Sequence, residues 1–264
     1  MITATEILSL FLERDANKKA HAVKQLCYPW LDEHVYKPES LNELPLQAGH
    51  PEKPKLVSPR ELPKRGLGSQ HGRAALLHAI AHIEFNAINL ALDAILRFPE
   101  MPEDYYQDWL RVAGEEAYHF LLVSDHLKSY DMEYGDLSAH NGLWQLAVDT
   151  ADDCLTRMAM VPRVMEARGL DVTPNLMQSL SLAGDNAAAD ILAIILRDEI
   201  GHVAVGNRWF KYLCEQRQQN PLQTFERLSE QYLNTQLKGP YAREARLKAG
   251  FDAEELDWLE ATYP

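Results

Sequence analysis

The chain has 264 residues, 46% of them hydrophobic, enough for one large domain or two small ones with a substantial core. Acidic residues outnumber basic ones 39 to 26, for a net charge of −13. This disfavours a nucleic-acid partner, because phosphate contacts need clustered Lys and Arg. Three cysteines, Cys27, Cys154 and Cys214, form no CxxC pair. They fit a reducing compartment and argue against a structural zinc or iron–sulfur site.

Thr3-Ala4-Thr5-Glu6 reads as a capping box before the apolar face of Ile7, Leu8, Leu10 and Phe11, so a short amphipathic helix opens the chain. The apolar run of residues 7–12 is short and flanked by acids, unlike a signal peptide. No apolar stretch approaches the roughly 18 residues of a membrane span, so a cytoplasmic protein without a membrane partner is expected. Six prolines follow (Pro38, Pro45, Pro51, Pro54, Pro59 and Pro63). They deny the backbone donors a helix needs and predict an extended arm wrapping the domain. The basic, proline-rich stretch from Lys37 to Arg65 is the residual exception to the case against nucleic acid, but its charges are spaced among acids and a solvated arm is the favoured reading. Gly66 to Gly72 does not have the GxGxxG spacing of a phosphate loop and is expected to be a loop with Ser69 near a helix N-cap.

Four long helical patterns come next. The first, about residues 73–97, carries Leu77, Ile80, Ala81, Glu84, Ile88, Ala91 and Ile95 on one stripe and ends at Pro99 and Pro102. The second, about 103–130, turns Leu110, Ala113, Glu116, His119, Phe120, Val123 and Leu127 inward. The third, about 141–168, presents Leu155, Met158, Ala159, Pro162 and Glu166; the fourth, about 185–217, presents Leu192, Ile195, Glu199, His202, Gly206 and Trp209. Shorter helices are expected at about 222–237 and 253–262, broken by Gly239-Pro240 and Gly250. Strand signals are almost absent, so the fold class is all-α. The organisation expected is residues 1–66 as helix and arm, 67–218 as a four-helix bundle, and 219–264 as a C-terminal helical appendage, in one compact domain.

The chemistry lies in two copies of Glu-x-x-His, Glu116 to His119 and Glu199 to His202. Each follows an isolated glutamate at nearly the same interval, 32 residues from Glu84 to Glu116 and 33 from Glu166 to Glu199. Positions three apart share a helix face, so each motif aims a carboxylate and an imidazole at one point. Four carboxylates and two imidazoles in this arrangement hold two metal ions in ferritin-like carboxylate bundles. Ionised groups on apolar helix stripes cost several kcal/mol unless paired or metal-bound. A lone Glu-x-x-His is more simply a surface ion pair or a satisfied core histidine. Two motifs with matched glutamates are not. An oxygen-rich donor set without thiolate suits iron first, with manganese as the alternative.

Glu115 and Asp198 each precede a motif and are candidates for orienting a ligand histidine through its other ring nitrogen. His78 and His82, at i and i+4 on the first helix, could be further ligands or a proton relay; with six ligands already available, a supporting or structural role is favoured. Pro162, one turn before Glu166, predicts a kink that could open a substrate or oxygen path beside that ligand or could equally be a packing feature.

At Arg197-Asp198-Glu199-Ile200-Gly201-His202 the chain resembles the Arg-Asp-Glu-x-x-His signature of the ferritin-like di-iron carboxylate superfamily, which includes ribonucleotide reductase small subunits and bacterial multicomponent monooxygenases. The match covers about residues 73–217. The resemblance implies Glu84 and Glu166 as terminal ligands, Glu116 and Glu199 as bridging ligands, and one histidine, His119 or His202, per metal. It also implies crossed bracing, Asp198 to His119 and Glu115 to His202. The stretch from Leu77 to Arg168, with His78-Ala-Ile-Ala-His82-Ile-Glu84 and the segment from Val161 to Asp171, more closely resembles an uncharacterised bacterial ferritin-like family of unknown function. One departure is informative: the position of the reductases' radical tyrosine, four beyond His119, is Val123. Tyr118 lies on another face.

The resemblance implies an O2-activating oxidase or hydroxylase acting on a small-molecule substrate, with its electron donor unspecified and a homodimer open as its assembly. The alternatives are a ferroxidase or iron-handling protein and a manganese catalase-like enzyme. The arm and C-terminal helices, absent from bare storage bundles, favour the enzyme. The acidic charge weakens a tRNA-modifying branch, and a metal-free scaffold is disfavoured by the intact ligand set.

Overall fold

The computed structural model describes residues 2–27, 36, 41, 44–62, 66–233 and 237–264. Among them the regular structure is helical, with isolated bridges from Ile2 to Tyr36 and from Leu56 to Ala139 in place of a sheet. The helices are α1 (Ala4–Leu12), α2 (Ala16–Cys27), α3 (Gln70–Arg97), α4 (Glu103–Leu127), α5 (Gly142–Asp149), α6 (Cys154–Met160), α7 (Ala167–Leu182), α8 (Asn186–Gln216), α9 (Pro221–Tyr232), α10 (Arg243–Lys248) and α11 (Ala253–Thr262). The chain forms two compact units: Met1–Val148 with Ser179–Ile191, and Asp149–Gln178 with Leu192–Pro264.

In the first unit, α1 begins with the expected capping box: Thr3 Oγ1 accepts the Glu6 N–H at 3.2 Å and Glu6 Oε2 accepts the Thr3 N–H at 2.9 Å. Ala4, Ile7 and Phe11 are buried. Helix α2 has no counterpart in the sequence reading. Its buried stripe is Ala16, Lys19, Ala20, Val23 and Cys27, so weakly apolar that periodicity does not reveal it. The fully buried Lys19 donates to the Phe11 carbonyl at 3.0 Å, the Gly49 carbonyl at 2.7 Å and Asn89 Oδ1 at 2.5 Å. It thereby ties α1, the arm and α3 together. Burial pushes its ammonium pKa down to about 7.

Ser69 N-caps α3, its hydroxyl accepting the Gly72 N–H at 3.0 Å. Contrary to expectation, α3 does reach the length and apolarity of a membrane span. Yet 89% of its most apolar window is buried within the protein, as in a core helix. Helix α4 starts after Pro102 with Glu103 and Asp104 in its first turn, where acids suit the helix dipole, and packs along α3. The described part of the arm is extended and tied down by its backbone: Gly49 N–H to the Phe11 carbonyl at 2.8 Å, and Val57 N–H to the Ala139 carbonyl at 2.9 Å. Its Pro45, Pro51 and Pro54 fit such a path, and Pro59 opens a short 3-10 turn. Lys37, Pro38, Pro63 and Arg65 lie outside the described residues.

The expected third helix, residues 141–168, is not one helix. Asp149 ends α5 and Asp153 starts α6, its carboxylate accepting the Thr156 N–H at 3.2 Å and hydroxyl at 2.7 Å. In the second unit, α6 then widens into a π-helix, Val161–Glu166, with Pro162 in its first turn. Proline lacks the N–H of the α ladder and its ring clashes with the preceding turn, and a wider turn relieves both. The α geometry resumes in α7 and runs past Arg168 to Leu182.

Gly206 on α8 admits the Pro162 ring: a Cβ there would overlap Pro162 Cβ and Cγ. Gly206→Ala is expected to lower the unfolding free energy by about 1–3 kcal/mol through overpacking, read by urea denaturation. Unchanged stability would mean that this approach is not tight.

The C-terminal helices belong to this unit. Asn220 caps α9, with the 222–237 pattern ending at Tyr232; residues 234–236 lie outside the described set. Helix α10 is unforeseen, and α11 matches its expected range behind a capping box formed by Asp252 and Glu255. Two buried arginines hold these pieces. Arg246 is bidentate to Asp171 at 2.9 and 2.7 Å. Arg163 donates to Glu255 and, at 2.6 Å, to Asn207 Oδ1.

Candidate metal centre

Glu84 projects from α3, and Glu116 and His119 project from α4, one helical turn apart. All three are buried, at 3%, 0% and 0% exposure. Each offers one ligand atom, and these atoms lie within 4.8 Å of one another. His119 Nδ1 is 3.3 Å from Glu84 Oε2 and 3.5 Å from Glu116 Oε2.

Two carboxylates are buried side by side here, and burial, reinforced by the Glu116 charge, pushes the Glu84 carboxyl up to about 7. Glu84 Oε2 has no hydrogen-bond partner among the described residues. A buried carboxylate oxygen without a donor is costly, and a cation would repay that cost. The group could hold a metal ion, and its oxygen and nitrogen donors are the types iron and manganese accept.

The raised Glu84 pKa predicts a pH dependence. Between about 4.5 and 7 the folded metal-free protein keeps a proton that the unfolded chain has released, so its stability falls as pH rises through that window. Metal-free protein is expected to unfold at lower denaturant at pH 8 than at pH 5. Glu84→Gln should flatten that slope, and an unaltered slope in the variant would exclude Glu84 as its source.

In the second unit, Glu199 and His202 lie one turn apart on α8, with Nδ1 of His202 3.8 Å from Glu199 Oε2. His202 is fully buried and Glu199 is 9% exposed. Glu166 is half-buried at the last position of the π-helix. Pro162 hints at the irregularity, but a π turn rather than a kink is not legible from it.

Glu115 pairs with Arg111 at 3.1 Å, its side chain 20% exposed. Asp198 receives both Nε and Nη2 of Arg197, at 2.8 and 3.0 Å, and is the more buried of the two. His82 lies about 200° around α3 from Glu84 at about 100° per residue. Its Nε2–H donates to the His140 carbonyl at 3.2 Å, and its Nδ1 shares a 2.9 Å hydrogen bond with the Tyr134 hydroxyl. His78 Nε2 accepts the Gly135 N–H at 2.9 Å, a structural clip on the loop after α4. Val123 is fully buried, and the Tyr118 ring lies under Lys24, 4.6 Å from its ammonium.

Residues 12–257 match a family described as "Protein of unknown function (DUF455)". A Haemophilus influenzae protein, named only as an uncharacterized protein, is 50% identical over 219 residues, covering 80% of this chain and 76% of its own. No solved structure matches the chain.

Proposed function

Since the chain belongs to the DUF455 family, whose description assigns no activity, we propose a function from its ligand residues: a ferritin-like di-metal oxidase or hydroxylase that activates O2 toward a small-molecule substrate. Glu84, Glu116 and His119 supply one half of the ligand set, and Glu166, Glu199 and His202 the other. Iron is the preferred metal and manganese the alternative. The observation that carries the reading is the buried Glu84, Glu116 and His119 group, two carboxylates and an imidazole gathered together with one carboxylate oxygen lacking a donor. The repeated Glu-x-x-His and its matched interval extend it to two ions.

Iron in such a site supplies electrons for the reduction of O2. The protein's part is to fix the donors and keep water away. Helices α3 and α4 present their ligands from rigid, buried faces. The π-helix sets Glu166 out of α-helical register, and such turns are frequent at functional sites.

Anaerobic loading with ferrous ion, followed by desalting and elemental analysis, is expected to find about two metal ions per chain. Subsequent O2 addition should oxidise the iron while the protein elutes as a small species on gel filtration. Clearly sub-stoichiometric metal would sink the di-metal reading, and elution at cage mass would favour iron storage over an enzyme.

A further inference from the structure

Helix α2 inverts the charge of the molecule. It carries Lys18, Lys19 and Lys24 and no acid, in a chain of net charge −13, whereas α4 beside it carries six acids and one arginine. Lys19 points inward, so the outer face is Lys18 and His21, both exposed, with Lys24 half-buried.

That face forms one wall of a groove of about 680 Å3 within the first unit, with Asn17, His21 and Lys24 on the α2 side and Tyr118, Leu121 and Leu122 on the α4 side. The acids of the groove, Asp125 and Glu133, come from the last turn of α4 and the loop beyond it, and Asp125 lies about 10 Å along the helix from Tyr118. Lys128 holds Asp125 at 3.0 Å, and Asp185 holds His126 at 3.1 Å. The charges at that end answer one another, and the Tyr118 end keeps the basic wall of α2.

The Tyr118 end also approaches the metal ligands. Glu116, Ala117, His119 and Phe120 are sealed from solvent, so Tyr118 is the one residue of this stretch of α4 that reaches the surface. Its ring lies 4.6 Å from the Lys24 ammonium on one side and 6.3 Å, centre to centre, from the His119 imidazole on the other. The groove is thus one aromatic ring away from a ligand whose Nδ1 is 3.3 Å from Glu84 Oε2. Electron transfer falls off steeply with distance, so a donor outside this unit gains most by docking here.

We propose that the groove between α2 and α4 docks an acidic one-electron carrier protein, which delivers electrons to the metal centre by way of Tyr118; the proposal rests on the di-metal reading. Two net-negative proteins repel over most of their surfaces, and the basic face of α2 is where such a carrier is attracted and oriented. Electron-transfer encounters bury little surface, below about 1,200 Å2, so one helix face and its groove suffice. In each encounter the reduced carrier gives one electron to a ferric ion and leaves oxidised, and the ion becomes ferrous. Two encounters prepare two ferrous ions for O2.

The probe is an acidic plant-type [2Fe–2S] ferredoxin, titrated first into metal-free, 15N-labelled full-length protein. Backbone amide resonances of α2 and of Leu121 and Leu122 are expected to shift or broaden, and the charge reversal of Lys18→Glu with Lys24→Glu should weaken binding about tenfold. Cytochrome c, a basic one-electron carrier, should leave those resonances unmoved. In iron-loaded, oxidised protein the same double variant should slow the reoxidation of reduced ferredoxin about tenfold, while dithionite, a small reductant, reduces wild type and variant equally. Tyr118→Leu should slow that electron step with ferredoxin binding unchanged. If Lys24→Glu does not fold, Lys18→Glu with His21→Glu, both at exposed positions, makes the same test. Failure to load iron would overturn the di-metal reading and this proposal with it. Iron that dithionite reduces but that ferredoxin reaches equally fast in wild type and charge reversal would overturn the docking alone, as would α2 resonances that answer to single-stranded RNA and not to ferredoxin.

Discussion

Glu116→Ala is expected to strip the protein of metal, while Glu115→Ala, one residue away, weakens binding by only about 10–100-fold. The two glutamates are neighbours in sequence and opposites in environment. Glu116 is fully buried with its carboxylate 3.5 Å from His119, whereas Glu115 is partly exposed and paired with Arg111. Removing Glu116 deletes a ligand; removing Glu115 deletes at most a group that orients one. Elemental analysis after exchange against a chelator reads the difference, and Glu199→Ala should behave like Glu116→Ala. Melting without metal separates ligand loss from damage to the fold. Alanine at 116 removes one of two buried like charges, so the metal-free variant should melt no lower than metal-free wild type. Equal metal content in the three variants would contradict the ligand assignment, and a collapsed metal-free variant would recast Glu116 as structural.

Glu255→Ala should destabilise the protein by about 3–5 kcal/mol, because it strands a buried guanidinium. Arg163 has no exposed surface. Its Nη1 lacks a hydrogen-bond partner among the described residues, and its charge rests on Glu255 and on the faces of Phe210 and Phe225, each 4.1 Å from the guanidinium carbon. Cation–π contacts are worth about 2 kcal/mol when desolvated and cannot replace a carboxylate. Burial already depresses the Arg163 pKa, and loss of Glu255 removes the main opposing influence. Urea denaturation measures the loss. The double variant Arg163→Met with Glu255→Leu should recover most of it, since replacing both partners of a buried pair by apolar groups is often neutral. A loss below about 1 kcal/mol for Glu255→Ala would show that the pair is hydrated in solution and not a buried latch.

The ends of α1, α3, α4 and α11 are legible in sequence because their signals are local. A capping threonine or serine, a proline before the first turn and a capping-box glutamate act within four residues of the boundary they set. The grouping of Glu116 with His119, and of Glu199 with His202, is legible for the same reason: three residues on a helix is a fixed distance. Tertiary structure decides what depends on partners far along the chain. Helix α2 owes its place to the burial of Lys19, whose ammonium finds acceptors 8, 30 and 70 residues away. The third helical pattern breaks where Asp153 caps a new start and widens where Pro162 meets Gly206, and the second event needs α8 beside it. Arg163 is fixed by distant partners: Glu255, 92 residues on, and three phenylalanines enclose it. His82 shows the same division. Its spacing places it two residues from a ligand, but the helix turns it to the other side, where Tyr134 and the His140 carbonyl determine its surroundings. Local chain geometry sets which groups share a face; desolvation and packing against distant segments set what each face meets.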